Sequence, residues 1–339
     1  MPHEIEQHDN VLVHTEQAWH GLGQVIGDDL SPTQALVAAE MDWEVTAQPV
    51  FRQTPDGQFV RIENTVCNTR MDVGDHGIGL GLVSTNYERV QNSTLAEFGE
   101  ELSKTKQVVV ETCGSIRNGQ RVWFLCRADS FSIGSNDVVF PYLLLSNGHD
   151  GASSLRVTPT TVRVVCSNTL HMVIPDRVSD RRVTNFGVSL KHNGNIMQRV
   201  DQVREVLASF SQTTEQFKDA ATSLQRQQVK PHQLNELFAR WWQRDFRPIP
   251  SGDALSNRQQ GRIRKVREAS DKYIARFEHE ALTTSSGTSL WTAVNAYTGL
   301  LQHDLGSVDS EARLSRNLFG TNAQRSVATW QDALNQLSA

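Results

Sequence analysis

The feature of this sequence that most constrains its fold is a change of hydrophobic period near residue 193. Before that point, short apolar runs alternate with Gly, Asn and Asp, a pattern typical of strands and turns. After it, apolar residues over 196–224 recur in alternating steps of four and three, the pattern of a long helix. A chain of 339 residues also exceeds the usual size of a single core. We therefore predict an α+β domain over 1–192 and a helical domain over 193–339.

The first part is predicted to form a largely antiparallel, hairpin-rich sheet with packed helices. Asp56-Gly57 and Asn118-Gly119 lie between consecutive apolar runs and are strong hairpin signals. Helices are predicted over 31–41, where Ser31 and Pro32 suit the first positions, and over 93–106. The predicted strands are 43–52, 59–68, 78–84, 107–112, 121–128, 138–146 and 156–166.

The helical part is predicted to contain two long helices. The helix over 196–224 packs lengthwise, either within the chain or against a second copy, and the sequence leaves both open. A shorter helix follows Pro231, and the second long helix covers about 254–282.

Charge is distributed unevenly along the chain. Residues 1–190 hold 14 Lys and Arg against 23 Asp and Glu, whereas residues 191–339 hold 19 against 15. At 100° per residue, five cations of the helix over 254–282 fall within an arc of about 80°. This basic stripe consists of Arg258, Arg262, Lys265, Lys272 and Arg276. It suits a polyanion such as nucleic acid, or it is a solvated face that pairs with the acidic half.

Several classes of protein find no support in the sequence. No long apolar stretch and no signal peptide are present, so neither membrane insertion nor secretion is expected. Four cysteines without a CxxC pair fit a reducing cytoplasm better than a disulfide or zinc scaffold. There is no Walker A or HExxH motif, and we predict no cofactor and no resident metal. The Gly-rich run 77–81 is expected to be a strand with close backbone contacts rather than a dinucleotide loop.

One polar segment offers a candidate site. His149-Asp150 superficially resembles the His-Asp dyad of metal-dependent phosphohydrolases, with His20 or His171 as further ligands. Asp150-Gly151 also reads as a turn after a strand. Cys166 with His171 is a thinner candidate for a nucleophile and base or for metal ligands. The remaining candidate site residues are Asn147, Arg163, Asn168 and Tyr87.

Several strings together resemble the phage/plasmid-like protein family. They are AWHGLG at 18–23, LGLVSTNYERVQN at 80–92, the segment 146–153, TTVRVVCSNTL at 160–170, WTAVNAY at 291–297 and NLFG at 317–320. The resemblance spans roughly residues 15–335. It implies a bacterial, phage or plasmid origin and a cytoplasmic protein of the host cell. It implies no activity, because that family is known as a domain of unknown function, and it carries over no catalytic residue.

A looser similarity to phage single-strand annealing proteins implies a function. Those proteins form oligomers that hold single-stranded DNA in a basic groove. In this chain the similarity implies that the basic stripe contacts phosphates and that an exposed Tyr87 or Trp19 stacks on bases. The acidic residues 1–190 argue against DNA contact by that part. The predicted function is therefore non-enzymatic binding, with annealing, of single-stranded DNA by a homo-oligomer. The alternatives are a metal-dependent hydrolase using His149 and Asp150, or a factor that binds a host protein and modulates a host defence system.

Overall fold

The structure is a computed structural model of the chain. It describes residues 30–104, 108–163, 168–172, 187–193, 200–251, 255–306 and 310–337, together with the two short strands Leu12–Val13 and Gln24–Val25. The strands within these ranges are β1 (Leu12–Val13), β2 (Gln24–Val25), β3 (Val45–Gln53), β4 (Phe59–Arg70), β5 (Ile78–Ser84), β6 (Val109–Ile116), β7 (Arg121–Arg127), β8 (Phe131–Ile133), β9 (Asp137–Gly148), β10 (Leu155–Arg163), β11 (Asn168–His171) and β12 (Val188–Leu190).

The helices α1 to α5 lie close to the predicted positions, and α6 to α8 complete the predicted helical part. Ser31 caps α1 through its hydroxyl, and Pro32 occupies the first turn, as predicted. The helices are α1 (Pro32–Ala38), α2 (Asn92–Lys104), α3 (Val200–Arg226), α4 (Pro231–Asp245), α5 (Asn257–Thr283), α6 (Leu290–Gly299), α7 (Ser310–Leu318) and α8 (Thr321–Leu337). A π-helical turn, Leu300–Asp304, continues α6. Among the helices described, none combines the length and the apolar character that a membrane span requires.

The main sheet has the order β11-β10-β9-β7-β6-β1-β2, with β12 paired to β10 and β8 paired to β9. Every pairing in it is antiparallel except that of β1 with β2. The predicted α+β class with a largely antiparallel sheet is therefore confirmed. The strand predicted over 156–166 is described as far as Arg163, which is the register partner of Asn168 in β11. Cys166 lies outside the described residues.

A second sheet contains β3, β4 and β5 in that order. Its β3–β4 hairpin turns at Thr54, whose N–H donates to the carbonyl of Gln58, and Gly57 adopts a positive φ of 87°. The predicted Asp-Gly turn is therefore present. Most side chains on either side of this turn are exposed, whereas Val66, Leu80 and Val83 at the other end are buried. The hairpin thus projects from a base that packs on the rest of the protein.

The main sheet is covered on both faces. Because side chains alternate along a strand, Phe124 and Leu145 enter the larger core on one face, beneath α1, α2 and α3. On the opposite face Trp123 and Leu144 belong to a smaller cluster with Leu318 of α7. Both faces of the central strands are therefore apolar. This explains the nearly continuous hydrophobic run in β9.

The larger core crosses the predicted boundary near residue 193. Phe217 of α3 lies edge-on to Phe131 of β8, with ring centroids 6.4 Å apart, and stacks on Trp330 of α8 at 4.7 Å. Trp291 of α6 contacts both Phe217 and Trp330. The helix α3 is thus packed within the chain, against the sheet and against other helices. Sheet and helices share one continuous set of buried side chains.

A buried carboxylate fastens the sheet to the helical part. Asp137, the first residue of β9, is fully buried. Its Oδ2 accepts hydrogen bonds from the Ser286 hydroxyl at 2.6 Å and from the Trp291 indole N–H at 2.8 Å. Beside it, the Ser285 hydroxyl accepts from the backbone N–H of Ser135 and Asn136. The loops before β9 and before α6 are therefore held together by polar contacts over a sequence separation of about 150 residues.

We expect Asp137→Ala to lower the free energy of unfolding by about 3 kcal/mol, because the Ser286 hydroxyl and the Trp291 N–H then lack an acceptor in a buried place. Urea denaturation followed by circular dichroism measures this. Asp129→Ala removes the same atoms from an exposed position and should change stability by less than about 0.5 kcal/mol. Equal stability of the two variants would contradict the role given to Asp137.

Candidate functional site

The turn between β9 and β10 is built around Asp150. Its Oδ1 accepts hydrogen bonds from the backbone N–H of Ala152 at 2.9 Å and of Ser153 at 2.8 Å, and Oδ2 accepts from the Ser153 hydroxyl at 3.0 Å. Gly151 follows with a positive φ of 77°, which suits glycine. Asp150-Gly151 is thus a turn in which both carboxylate oxygens bind the loop, as one of the two readings of the sequence predicted.

The side chain of His149 is buried in a hydrogen-bond chain. Asn92 donates through Nδ2 to the carbonyl of Met41 at 2.9 Å, so its Oδ1 is an acceptor for His149 Nε2, also at 2.9 Å. His149 therefore carries its proton on Nε2, and its Nδ1 is buried with no hydrogen-bond partner in the part of the chain that the structure describes. Burial lowers the pKa of His149 to about 3, which keeps the ring neutral at physiological pH.

Three further side chains tie the end of β9 to neighbouring elements. Asn147 donates to the carbonyl of Val90 at 2.8 Å. Asn68 of β4 donates to the carbonyl of His149 at 2.9 Å, and the Tyr87 hydroxyl donates to the carbonyl of Gly148 at 2.8 Å. Of the predicted site residues, Tyr87, Asn147, His149 and Asp150 thus come together around one turn.

The Gly-rich strand β5 passes directly beside this turn. A Cβ atom on Gly81 would lie 2.5 Å from the backbone oxygen of Asp150, a distance that no side chain tolerates. The predicted strand with close backbone contacts is therefore confirmed over 78–84.

A cleft of about 460 Å³ opens next to the turn, lined by Ser84, Tyr87, Ser153, Ser154 and Lys191, among others. His192 also lines it. The rings of Tyr87 and His192 are stacked, with centroids 4.7 Å apart, and His192 Nδ1 donates to the carbonyl of Glu88 at 2.9 Å. The expectation of an exposed Tyr87 is wrong, because its ring is half-buried and one face already contacts His192. Burial also raises the pKa of the Tyr87 hydroxyl well above its usual range.

The metal ligands considered for this site are not brought together in the described part of the chain. There, no three His, Cys, Asp or Glu side chains are arranged to share a metal ion. His171 lines a different cavity, and His20 and Cys166 lie outside the described residues. The backbones of Arg163 and Asn168 are register partners where β10 meets β11. Their side chains lie outside the described part of the chain, as does Trp19.

The basic stripe lies on α5, as predicted, but its members differ in their surroundings. Arg258, Lys265 and Lys272 are exposed. Arg276 is half-buried and forms an ion pair with Asp304, and Arg262 donates to the carbonyl of Pro248 at 2.7 Å. Three of the five cations are thus available to a partner, and two stabilise the fold.

The exposure of the stripe follows from how α5 packs. Over 257–268 no side chain of the helix is fully buried, whereas Ala269, Tyr273 and Phe277 enter the core. The first half of α5 therefore packs on the protein only partly, through side chains such as Val266, and leaves its other side chains exposed. It also carries Arg264 and Arg267, both exposed, and the acidic neighbour Glu268 lies 3.9 Å from Arg264.

A family model described as Domain of unknown function (DUF932) matches residues 79–330. The chain belongs to this family. The DUF932 match includes the cleft beside Tyr87 and all of α5. It begins after β3 and β4, so Asn68 of β4 lies outside the match. Comparisons with curated proteins and with solved structures gave no match.

Sequence reasoning missed two residues of this region, His192 in the wall of the cleft and Asn68, which is bonded to the end of β9. His192 lies next to an Asn-Gly pair and has no periodic neighbours that would single it out. Asn68 lies in a strand with no turn residue beside it, and its bond to His149 joins positions 81 residues apart. Asn92 donates to the carbonyl of Met41 and accepts a hydrogen bond from His149.

We expect acid to destabilise the protein through His149. Its pKa is about 3 in the folded chain and about 6.5 when unfolded, so below pH 6.5 only the unfolded state binds the proton. Between pH 7 and pH 5 this lowers the free energy of unfolding by about 2 kcal/mol, and the loss continues towards pH 3. His149→Gln retains a donor for Asn92 and should reduce the difference between urea denaturation at the two pH values by that amount.

The control for this measurement is His76→Gln, which removes an exposed histidine. It should leave the difference between pH 7 and pH 5 unchanged. If His149→Gln also leaves it unchanged, His149 is not held neutral in the folded protein.

Proposed function

We propose that this protein binds single-stranded DNA without catalysis, through the exposed cations of α5. The observation that carries the proposal is that Arg258, Lys265 and Lys272 are exposed and have no carboxylate within ion-pair distance among the described residues. Cations that lack an internal counter-ion can neutralise phosphates and release the ions condensed on a nucleic acid.

The alternative of pairing with the acidic half finds no support on this helix. The ion pairs described for α5 join Arg264 to Glu268 and Arg276 to Asp304, both within the helical part. The stretch from Arg258 to Lys272 spans about 21 Å at 1.5 Å per residue, so several phosphates can lie along it. Arg264 and Arg267 add to the positive potential of this surface.

The strandedness of the DNA, annealing by a homo-oligomer and the origin and location of the protein are proposed from the sequence resemblances. Similarity to phage single-strand annealing proteins favours single strands over duplex DNA, and it favours annealing by a homo-oligomer. The resemblance to the phage/plasmid-like family favours a mobile-element origin and a place in the cytoplasm of a bacterial host. Because the Tyr87 ring is half-buried and stacked on His192, we do not assign it to base stacking.

Binding to a host protein is the second candidate, and one surface favours it. On the projecting hairpin, Phe59 is 72% exposed and Phe51 is 51% exposed. The register pairs Phe51 with Arg61 and Gln53 with Phe59, so these side chains share one face of the sheet. Exposed apolar patches of this kind mark interaction sites. A hydrolase centred on His149 and Asp150 has no comparable support, because both side chains are engaged by the turn and by Asn92.

The experiment is a titration of fluorescent single-stranded DNA with the full chain at several salt concentrations, read by anisotropy. We expect binding that weakens with salt. Reversing Arg258, Lys265 and Lys272 to Glu should weaken binding at least about 100-fold and reduce the slope of log K against log salt by about 2. A duplex of the same length is titrated in parallel.

The matched control reverses three exposed arginines elsewhere, Arg52, Arg61 and Arg226, to Glu. It changes the net charge by the same amount and should retain most of the affinity. No binding by the unmodified protein at low salt would overturn the proposal. An equal loss in both triple variants would show that net charge, rather than α5, governs binding. A matching loss confined to the control would overturn the assignment to α5 and place the contact at one of the three control arginines.

A further inference from the structure

A cavity of about 510 Å³ lies on the face of the main sheet that α7 and α8 cover. One wall comes from the sheet, through Leu144, Ser146 and Thr158, and the opposite wall from the α7–α8 connection at 318–320 and from Val327. The volume falls within the range of small-molecule sites. It is separate from the cleft beside Tyr87 and from α5, so none of the features described so far accounts for it.

His171, in β11, supplies a polar group at this cavity. The ring is buried, and it is hydrogen-bonded to the backbone carbonyl of Leu318. Its Nε2 is buried with no hydrogen-bond partner among the described residues, so the bond to Leu318 is made by Nδ1, which carries the proton. Burial and the nearby Arg156 lower the pKa of His171 to about 4. The ring is therefore neutral, and Nε2 presents an unused acceptor.

An unused buried acceptor is a departure from the usual pairing of polar groups in proteins. A ligand that donates an N–H or O–H to Nε2 would remove the penalty of leaving it unpaired. A site with such an acceptor discriminates strongly between a ligand that donates a hydrogen bond to it and an analogue that does not.

Arg156 supplies a cation to the same cavity. In the register of β10 it lies opposite Ser146 of β9 and Ser189 of β12, both of which also line the cavity, so the three side chains share one face of the sheet. Arg156 is exposed, and no carboxylate of the described residues forms an ion pair with it. Its guanidinium can receive an anionic group in a bidentate manner.

The rest of the wall is apolar and includes an aromatic ring. Leu144, Val188 and Val327 line it with Phe319, whose ring already has the Arg121 guanidinium 4.7 Å from its centroid. An exposed cation, a buried acceptor and apolar walls between them match a molecule with an anionic end and a flat apolar body that carries an N–H. We propose that this cavity binds a nucleoside monophosphate, with its phosphate at Arg156 and an N–H of its base at His171 Nε2.

The test is isothermal titration of the full chain with each of the four common ribonucleoside monophosphates. We expect at least one to bind. Arg156→Gln should weaken the binding of that nucleotide at least about tenfold, because a charge-assisted hydrogen bond to the phosphate is lost. His171→Leu should weaken it by a similar factor. Arg61→Gln makes the same substitution as the first variant at an exposed position and should leave the affinity unchanged.

A second readout separates recognition from a structural effect. The binding of ribose 5-phosphate, which lacks the base, should be weakened by Arg156→Gln and not by His171→Leu. The parent nucleoside, which lacks the phosphate, should show the reverse. No binding of any of the four nucleotides at up to about 5 mM, or loss of all ligands in both variants alike, would overturn the proposal. The triple α5 variant should bind the nucleotide normally, so failure of the DNA proposal and failure of this one are distinguishable.

Discussion

The buried carboxylate of Asp137 is the contact on which the joining of sheet and helices depends. A carboxylate that is removed from water must be hydrogen-bonded, and here the donors come from Ser286 and Trp291, about 150 residues away. These bonds fix where β9 begins relative to α6. Because Trp291 also packs edge-on against both Phe217 and Trp330, the same contact positions the aromatic side chains through which α3 and α8 meet. Polar and apolar contacts at this junction thus support each other.

The position of β9 then determines what happens at its other end. There Asn147, Gly148 and His149 are hydrogen-bonded to two separate segments of the chain, β4 and the loop between β5 and α2. The Asp150 turn is locked by its own carboxylate. These side chains were candidates for chemistry because of their residue types. In the folded protein they join β4, β5, the start of α2 and β9, and the cleft beside Tyr87 results from this arrangement.

The surfaces proposed to bind partners are those that the packing leaves unsatisfied. Tyr273 and Phe277 hold the second half of α5 in the core, whereas Arg258, Lys265 and Lys272 stay exposed. On the covered face of the sheet, α7 and α8 leave a cavity beside His171, and this histidine keeps one nitrogen without a partner. DNA on α5 and a nucleotide in the cavity beside His171 can be bound at the same time, because the two sites share no residue.

The sequence by itself determined the local elements of this protein. Turn residues and apolar periods are properties of short segments, so the hairpins, the strand β5 and the helices α1 to α5 were predictable within a few residues. The arc of the basic stripe also followed from helical geometry alone. Tertiary structure decided which stripe residues stay available, because Arg262 meets Pro248 and Arg276 meets Asp304 only after folding. It alone paired His149 with Asn92 and placed His171 against Leu318. Such contacts join residues far apart in the chain. Burial keeps both histidines neutral, and it exists only once those distant segments pack together.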